Sequence, residues 1–341
     1  MTNSKDNFKE FENKDLVLKS YPQKIFVEIT RNCNLKCIMC EHRWKKNKDE
    51  NNMDFNFFKQ IADELFPHAE EIDLRGFGES TIHPEFEKFL DYTLKFNKRI
   101  ILVTNLTLKN DELWKKIIKN DVWLSISIDG TKKETLEKIR RGSNFDIVMN
   151  NLKIIQKERD KNNINPWNSH LLITFQRDNI DELPEFINLA AKHGFKRIQL
   201  NPIRTHLIDS KNLRFHKTKV EQKVKETIKK AKEKGITVIF AGSSGTKAAK
   251  EIENKETIES SGIKIKERCK HPWTNLYITH DGKIGPCNHL MSAPYVLGDL
   301  KKGTFRTEWN NKKFQRFRKY NDTILRARVC HWCYQNRYDH F

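Results

Sequence analysis

Six short β-rich runs, with helical periodicity in the gaps between them, constrain this chain more than any other feature. The runs are residues 25–30 (IFVEIT), 72–75 (IDLR), 100–104 (IILVT), 123–128 (WLSISI), 171–175 (LLITF) and 197–200 (RIQL). Near-continuous apolar runs of this length suit strands buried on both faces. Between them, Phe58, Ile61, Ala62 and Leu65 fall on one helical face, as do Phe145, Val148, Leu152 and Ile155. Leu183, Phe186, Ile187 and Ala190 mark another helix, with Gly194 placed to end it. Strand–helix units in series imply a parallel sheet with right-handed crossovers. About six units are too few to close an eight-stranded barrel. The expected fold class is therefore α/β, a partial (β/α)6 TIM-like barrel.

The 341 residues have room for about two domains. Residues 1–21 are read as an N-terminal segment and 22–240 as the core. Within that core, Val220, Val224, Ile228 and Ala231 mark a last helix before a strand at 236–240. Residues 241–262 are small, polar and charged and are expected to be a linker. Residues 263–341 form a smaller domain. There NLYITHDGKIGPCN reads as a hairpin with Asp281 and Gly282 at its turn, followed by a short helix around 309–320. Twenty-one Phe and seven Trp exclude a disordered chain. No apolar run approaches the roughly 20 residues of a membrane span. The first residues lack the apolar core of a secretory signal. The expected location is the cytoplasm, with no membrane partner.

Seven cysteines are an odd number for a disulfide framework, and closely spaced cysteines in a reducing compartment more often bind metal or do chemistry. Cys33, Cys37 and Cys40 lie near the start, whereas Cys269, Cys287, Cys330 and Cys333 lie in the last quarter. Two metal sites follow from that split. The first set supplies three thiolates on one loop directly after the first strand. A 4Fe–4S cubane needs one ligand per iron, so three cysteines leave one iron open. A zinc shell completed by His42 is the alternative from spacing alone.

The first region resembles the radical S-adenosylmethionine (SAM) superfamily. In that family C-x3-C-x2-C holds a 4Fe–4S cluster whose open iron is chelated by the amino and carboxylate groups of SAM. Gly76, Gly78 and Glu79 match the glycine–glutamate motif that takes the SAM amino group. Thr104 and Asn105 after the third strand, and Ser127 and Asp129 after the fourth, match segments that border SAM and its ribose. Arg140 matches the arginine that faces the SAM carboxylate, with Arg141 as its neighbour. Met39 stands where the family often has an aromatic residue on the adenine side, and the fifth-strand segment LLITFQRDN matches the adenine motif only loosely.

The second set, Cys269, Cys287, Cys330 and Cys333, is similar to the C-terminal extension of such enzymes called SPASM, or Twitch in its shortened form. Residues 297–300 (LGDL) and 307–310 (TEWN) look like that extension's linker and helix. Only YQNRYDHF follows Cys333, which implies one auxiliary 4Fe–4S cluster, fully ligated by four cysteines. A structural zinc knuckle is the other reading of these four.

The net charge of +19 raises a nucleic-acid partner, but the basic residues are interleaved with acids, as in KVEQKVKETIKKAKEKG. That pattern reads as solvated helix surface. The resemblance implies a 5′-deoxyadenosyl radical used for hydrogen abstraction, and a reducing partner such as flavodoxin or ferredoxin. The first expectation for the reaction is dehydrogenation of a sugar or aminocyclitol alcohol, with the auxiliary cluster as electron acceptor. Modification of a ribosomally made peptide is the second. A non-catalytic metal-cluster protein that binds nucleic acid is the third.

Overall fold

The structure is a computed structural model. It describes residues 3–40, 42, 46–203, 217–240, 268–287, 290, 295–323, 325, 327 and 330. The expected linker at 241–262, and Cys333, lie outside the described residues.

The strands are β1 (Lys24–Val27), β2 (Glu71–Asp73), β3 (Arg99–Thr104), β4 (Trp123–Ser127), β5 (Ser169–Phe175), β6 (Arg197–Pro202), β7 (Thr237–Phe240), β8 (Asn275–Ile278), β9 (Lys283–Gly285) and β10 (Gly298–Asp299). The α-helices are α1 (Asn3–Glu12), α2 (Phe55–Leu65), α3 (Phe86–Leu94), α4 (Asp111–Lys119), α5 (Lys133–Ile139), α6 (Phe145–Lys161), α7 (Leu183–Lys192), α8 (Lys217–Glu233), α9 (His271–Thr274), α10 (Phe305–Trp309) and α11 (Lys312–Lys319). The fold is mixed α/β with parallel strands and a small antiparallel hairpin near the C-terminus, as the apolar runs foretold.

Two compact units divide the chain. The first comprises the described residues of Met1–Cys33, Lys46–Leu102 and Lys266–Asn336. Its β1 pairs in parallel with β2 on one side (Ile25 opposite Ile72) and with β8 on the other (Ile25 opposite Leu276). β9 and β10 extend the sheet antiparallel from β8. Asp54 caps α2 by accepting from the Phe57 amide, and the helix buries Phe58, Ile61, Ala62 and Leu65, the four residues that periodicity picked out. Phe58 stands 4.7 Å from Phe89 and 5.7 Å from Phe66, ring centre to ring centre, which gives this unit an aromatic core. The short helix expected around 309–320 is α11, started at Lys312 because the Asn311 side chain accepts from the Lys313 and Phe314 amides; α10 precedes it.

The second unit comprises the described residues of Asn34–Lys45 and Val103–Ile265. Its strands β4, β5, β6 and β7 are parallel neighbours in that order. α7 buries the face read from the sequence and α6 buries Val148, Leu152 and Ile155 of its face, with Phe145 half-buried; Gly194, at φ 68°, ends α7 as expected.

Candidate functional site

In the first unit, Cys33 is fixed by Asn47. The Cys33 amide donates to Asn47 Oδ1 and Asn47 Nδ2 donates back to the Cys33 carbonyl, both at 3.0 Å. A Cβ on Gly78 would lie 2.4 Å from the Asn32 carbonyl oxygen and 2.6 Å from that of Thr30. Only glycine lets the segment after β2 lie against the strand-end loop this closely. The next residue completes the seam, as the Glu79 amide donates to the same Asn32 carbonyl at 2.8 Å. Glu79 is buried, and its Oε1 accepts from Thr81 Oγ1 at 2.7 Å, capping the single 3-10 turn Ser80–Ile82. The structure thus brings Gly76, Gly78 and Glu79 together with the backbone that leads into Cys33.

In the second unit, the loop carrying Cys37, Met39 and Cys40 runs beside the end of α5. The Lys36 amide donates to the Arg141 carbonyl at 2.8 Å and the Ile38 amide to the Ile139 carbonyl at 2.9 Å. Cys37 is buried, while Met39 and Cys40 are half-buried. The His42 amide donates to Cys40 Sγ at 3.4 Å. Asn105 anchors the same loop: its Nδ2 donates to Asn34 Oδ1 at 2.9 Å, while its Oδ1 accepts from Thr107 Oγ1 at 2.6 Å. Thr104 Oγ1 accepts from the Leu106 amide at 3.0 Å, and Leu106 takes the left-handed φ of 57°. A bulky residue in that conformation carries strain of about 1–3 kcal/mol, which the surrounding hydrogen bonds hold in place.

Ser127 ends β4 half-buried. Asp129 and Arg140, read separately from the sequence, form one buried ion pair with Nε 2.7 Å from Oδ2. Burial pushes the Asp129 carboxyl up from its ordinary value, against the pull of the Arg140 guanidinium and the Thr174 amide. Near the C-terminus, Cys287 is buried and Cys269 and Cys330 are half-buried. The Cys269 amide donates to Asn321 Oδ1 at 2.8 Å.

Soft thiolate donors and a glycine cradle fit iron–sulfur clusters and SAM. Among the described residues no three His, Cys, Asp or Glu side chains converge as ligands of one ion. The ligand reading therefore rests on spacing and on likeness to known proteins. Sequence reasoning passed over Glu28, the one charge in an otherwise apolar run, and that charge was the signal for it.

Residues 27–190 match the radical SAM superfamily and residues 269–334 match the iron–sulfur cluster-binding domain SPASM. The chain is 29% identical over 178 residues to the tungsten-containing aldehyde ferredoxin oxidoreductase cofactor-modifying protein of Pyrococcus furiosus, covering 50% of this chain and 48% of that one. In the first such relatives the match spans less than half of their length. Two others align almost throughout. The AdoMet-dependent heme synthase of Methanosarcina barkeri is 22% identical over 90% of this chain and 87% of its own. The cysteine-type anaerobic sulfatase-maturating enzyme of Clostridium novyi is 24% identical over 88% and 83%. Among solved structures, Streptococcus suis SuiB bound to S-adenosylmethionine superposes with a TM-score of 0.70 at 13% identity, covering 93% of this chain and 72% of SuiB. SuiB is also known bound to its precursor peptide SuiA. At such identity the likeness shows the fold, the TIM-like class expected from the strand–helix series.

Proposed function

From a chain that belongs to the radical SAM superfamily and ends in a SPASM domain, we propose an enzyme that modifies a peptide by abstracting hydrogen from one of its residues. The observation that supports this most is the alignment with the sulfatase-maturating enzyme, which covers 88% of this chain and 83% of that one. The likeness to SuiB, a protein that binds a precursor peptide, adds to it. The relatives described above do not favour dehydrogenation of a sugar or aminocyclitol, the first expectation from four auxiliary cysteines. Peptide modification replaces it as the preferred reading.

The cofactors are a SAM-binding 4Fe–4S cluster, auxiliary iron–sulfur ligation in the SPASM domain, and SAM. When bound, SAM and the reduced first cluster would supply a 5′-deoxyadenosyl radical. The residues of this chain then have four tasks in our reading. Cys33, Cys37 and Cys40 hold the first cluster. Asn47 and Asn105 fix the loop that carries these thiolates. Gly76, Gly78 and Glu79 shape the seat of the SAM amino group. Cys269, Cys287, Cys330 and Cys333 hold the auxiliary cluster. Orientation of the reacting carbon and exclusion of water are the protein's share of catalysis. Among the described residues no helix is long and apolar enough to cross a membrane. A small reducing protein in the cytoplasm is the partner this reading calls for.

The test offers the reconstituted enzyme two deuterium-labelled pools from cells, one of peptides and one of small metabolites, with SAM and reductant. Deuterium recovered in 5′-deoxyadenosine from the peptide pool supports the proposal. Transfer from the small-metabolite pool alone overturns it, in favour of an alcohol or a porphyrin.

A further inference from the structure

Glu28 stands at the end of β1 with no exposed surface, and four donors from three parts of the first unit meet on its carboxylate. Oε1 accepts from Arg31 Nε at 2.6 Å and lies 3.1 Å from His280 Nδ1. Oε2 accepts from the Phe77 amide at 3.0 Å and from the Tyr277 hydroxyl at 3.1 Å. Arg31 lies on the loop entering Cys33, Phe77 lies between the two glycines of the 76–79 segment, and Tyr277 and His280 belong to β8 and its turn. A Cβ on Gly76 would fall 2.3 Å from Glu28 Cγ, so the glutamate passes directly beneath this segment. The Phe77 ring packs on Phe26 and Tyr277, and the Arg31 guanidinium lies over it.

An isolated buried carboxylate costs several kcal/mol of lost hydration. Here burial pushes the Glu28 carboxyl up, but the His280 hydrogen bond, the Arg31 charge and the Phe77 amide together hold it below its ordinary value. Glu28 is therefore an anion matched to its donors. None of the thiolate or SAM-seat residues does this work, and a purely local role would not need two donors from β8 and its turn, some 250 residues away in sequence.

We infer that Glu28 is a positioning residue, which sets the backbone of the SAM-binding segment at 76–79 and ties that setting to Tyr277 and His280 near the C-terminus. The inference rests on the role given above to residues 76–79. The charge on Glu28 draws the Phe77 amide down, which fixes the direction of the peptide planes on both sides. Tyr277 and His280 hold the carboxylate in the rotamer that reaches Phe77. Loss of either lets the segment relax without touching a cluster ligand.

The experiment measures SAM affinity by equilibrium dialysis, iron content, and the electron paramagnetic resonance response of the reduced first cluster to SAM. It compares the anaerobically reconstituted full chain with Glu28→Gln, Tyr277→Phe, His280→Asn and Gly78→Ala. Glu28→Gln is expected to weaken SAM binding roughly tenfold, as for the loss of one charge-assisted hydrogen bond. Tyr277→Phe and His280→Asn should each weaken it about two- to fivefold, with wild-type iron content and an altered spectral response at saturating SAM. Tyr277→Phe keeps the carboxylate and its other donors, so it reads the effect even where Glu28→Gln does not fold. Wild-type affinity and response in Tyr277→Phe and His280→Asn overturn the inference, as does a loss of affinity that merely follows loss of iron. Unchanged SAM binding in Gly78→Ala overturns the premise instead, and is told apart by that variant alone.

Discussion

Arg140 Nε lies 2.7 Å from Asp129 Oδ2, and both side chains are buried. The guanidinium that the family resemblance points toward SAM is thus engaged by the carboxylate that follows β4. Breaking such a pair from one side strands the other charge, at about 3–5 kcal/mol. Arg140→Met should lower the urea midpoint accordingly, and Asp129→Asn added to it should restore most of the loss. An unchanged midpoint in the single variant would show that the pair carries no stability.

Asn105 should matter to the first cluster through the loop it anchors. Asn105→Ala leaves Asn34 and Thr107 without these hydrogen bonds, at a cost of about 1–3 kcal/mol. Less iron bound under limiting reconstitution, with the C-terminal site still loaded, is the expected outcome. Full iron loading at wild-type rate would remove the anchor role.

His193 makes the fold sensitive to acid. It is 2% exposed, and burial pulls its imidazole down to about 4, with Lys192, Lys153 and Arg159 adding repulsion. The unfolded chain takes up this proton near pH 6.5, whereas the folded chain resists it. The contribution is complete above about pH 6.5 and is lost as pH falls toward 4, up to about 3 kcal/mol. Unfolding midpoints of His193→Gln should therefore vary less across that window than those of the wild type. Parallel curves would remove His193 as the cause.

Two separate iron sites predict two separate losses. Reconstituted wild type should carry about eight irons, if each region holds a cubane. Cys37→Ala should lose about half of that and all cleavage of SAM. Cys287→Ala should also lose about half, yet retain some cleavage. Zinc in place of the second half would sink the auxiliary-cluster reading.

Burial patterns were legible because they repeat. The strands of the core and the inward faces of α2, α6 and α7 follow from apolar spacing, and the cysteine sets stand out by number. Long-range polar partners were not legible. Nothing near Asn47 announces that it clasps Cys33, and Asp129 and Arg140 are each unremarkable until β4 and α5 bring them together. Glu28 broke an apolar run visibly, but its donors Tyr277 and His280 are set by the pairing of β1 with β8, which local periodicity does not encode. The short helix expected around 309–320 stands as α11, and its start is set by the Asn311 side chain, which accepts from the Lys313 and Phe314 amides.

The place of β8 beside β1 also orders the birth of the molecule. Lys24 leaves the ribosome long before its partner Asn275 has been made, and at about 5–20 residues per second the delay is roughly 12–50 s. Throughout that interval one side of β1 is an unsatisfied edge, the kind of surface that recruits strands from other chains. The carboxylate at the end of β1 waits equally long for two of its donors. Nascent chains of this protein should therefore lean on chaperones until the C-terminal hairpin emerges, and chains cut short before residue 275 should aggregate rather than fold as a free-standing core.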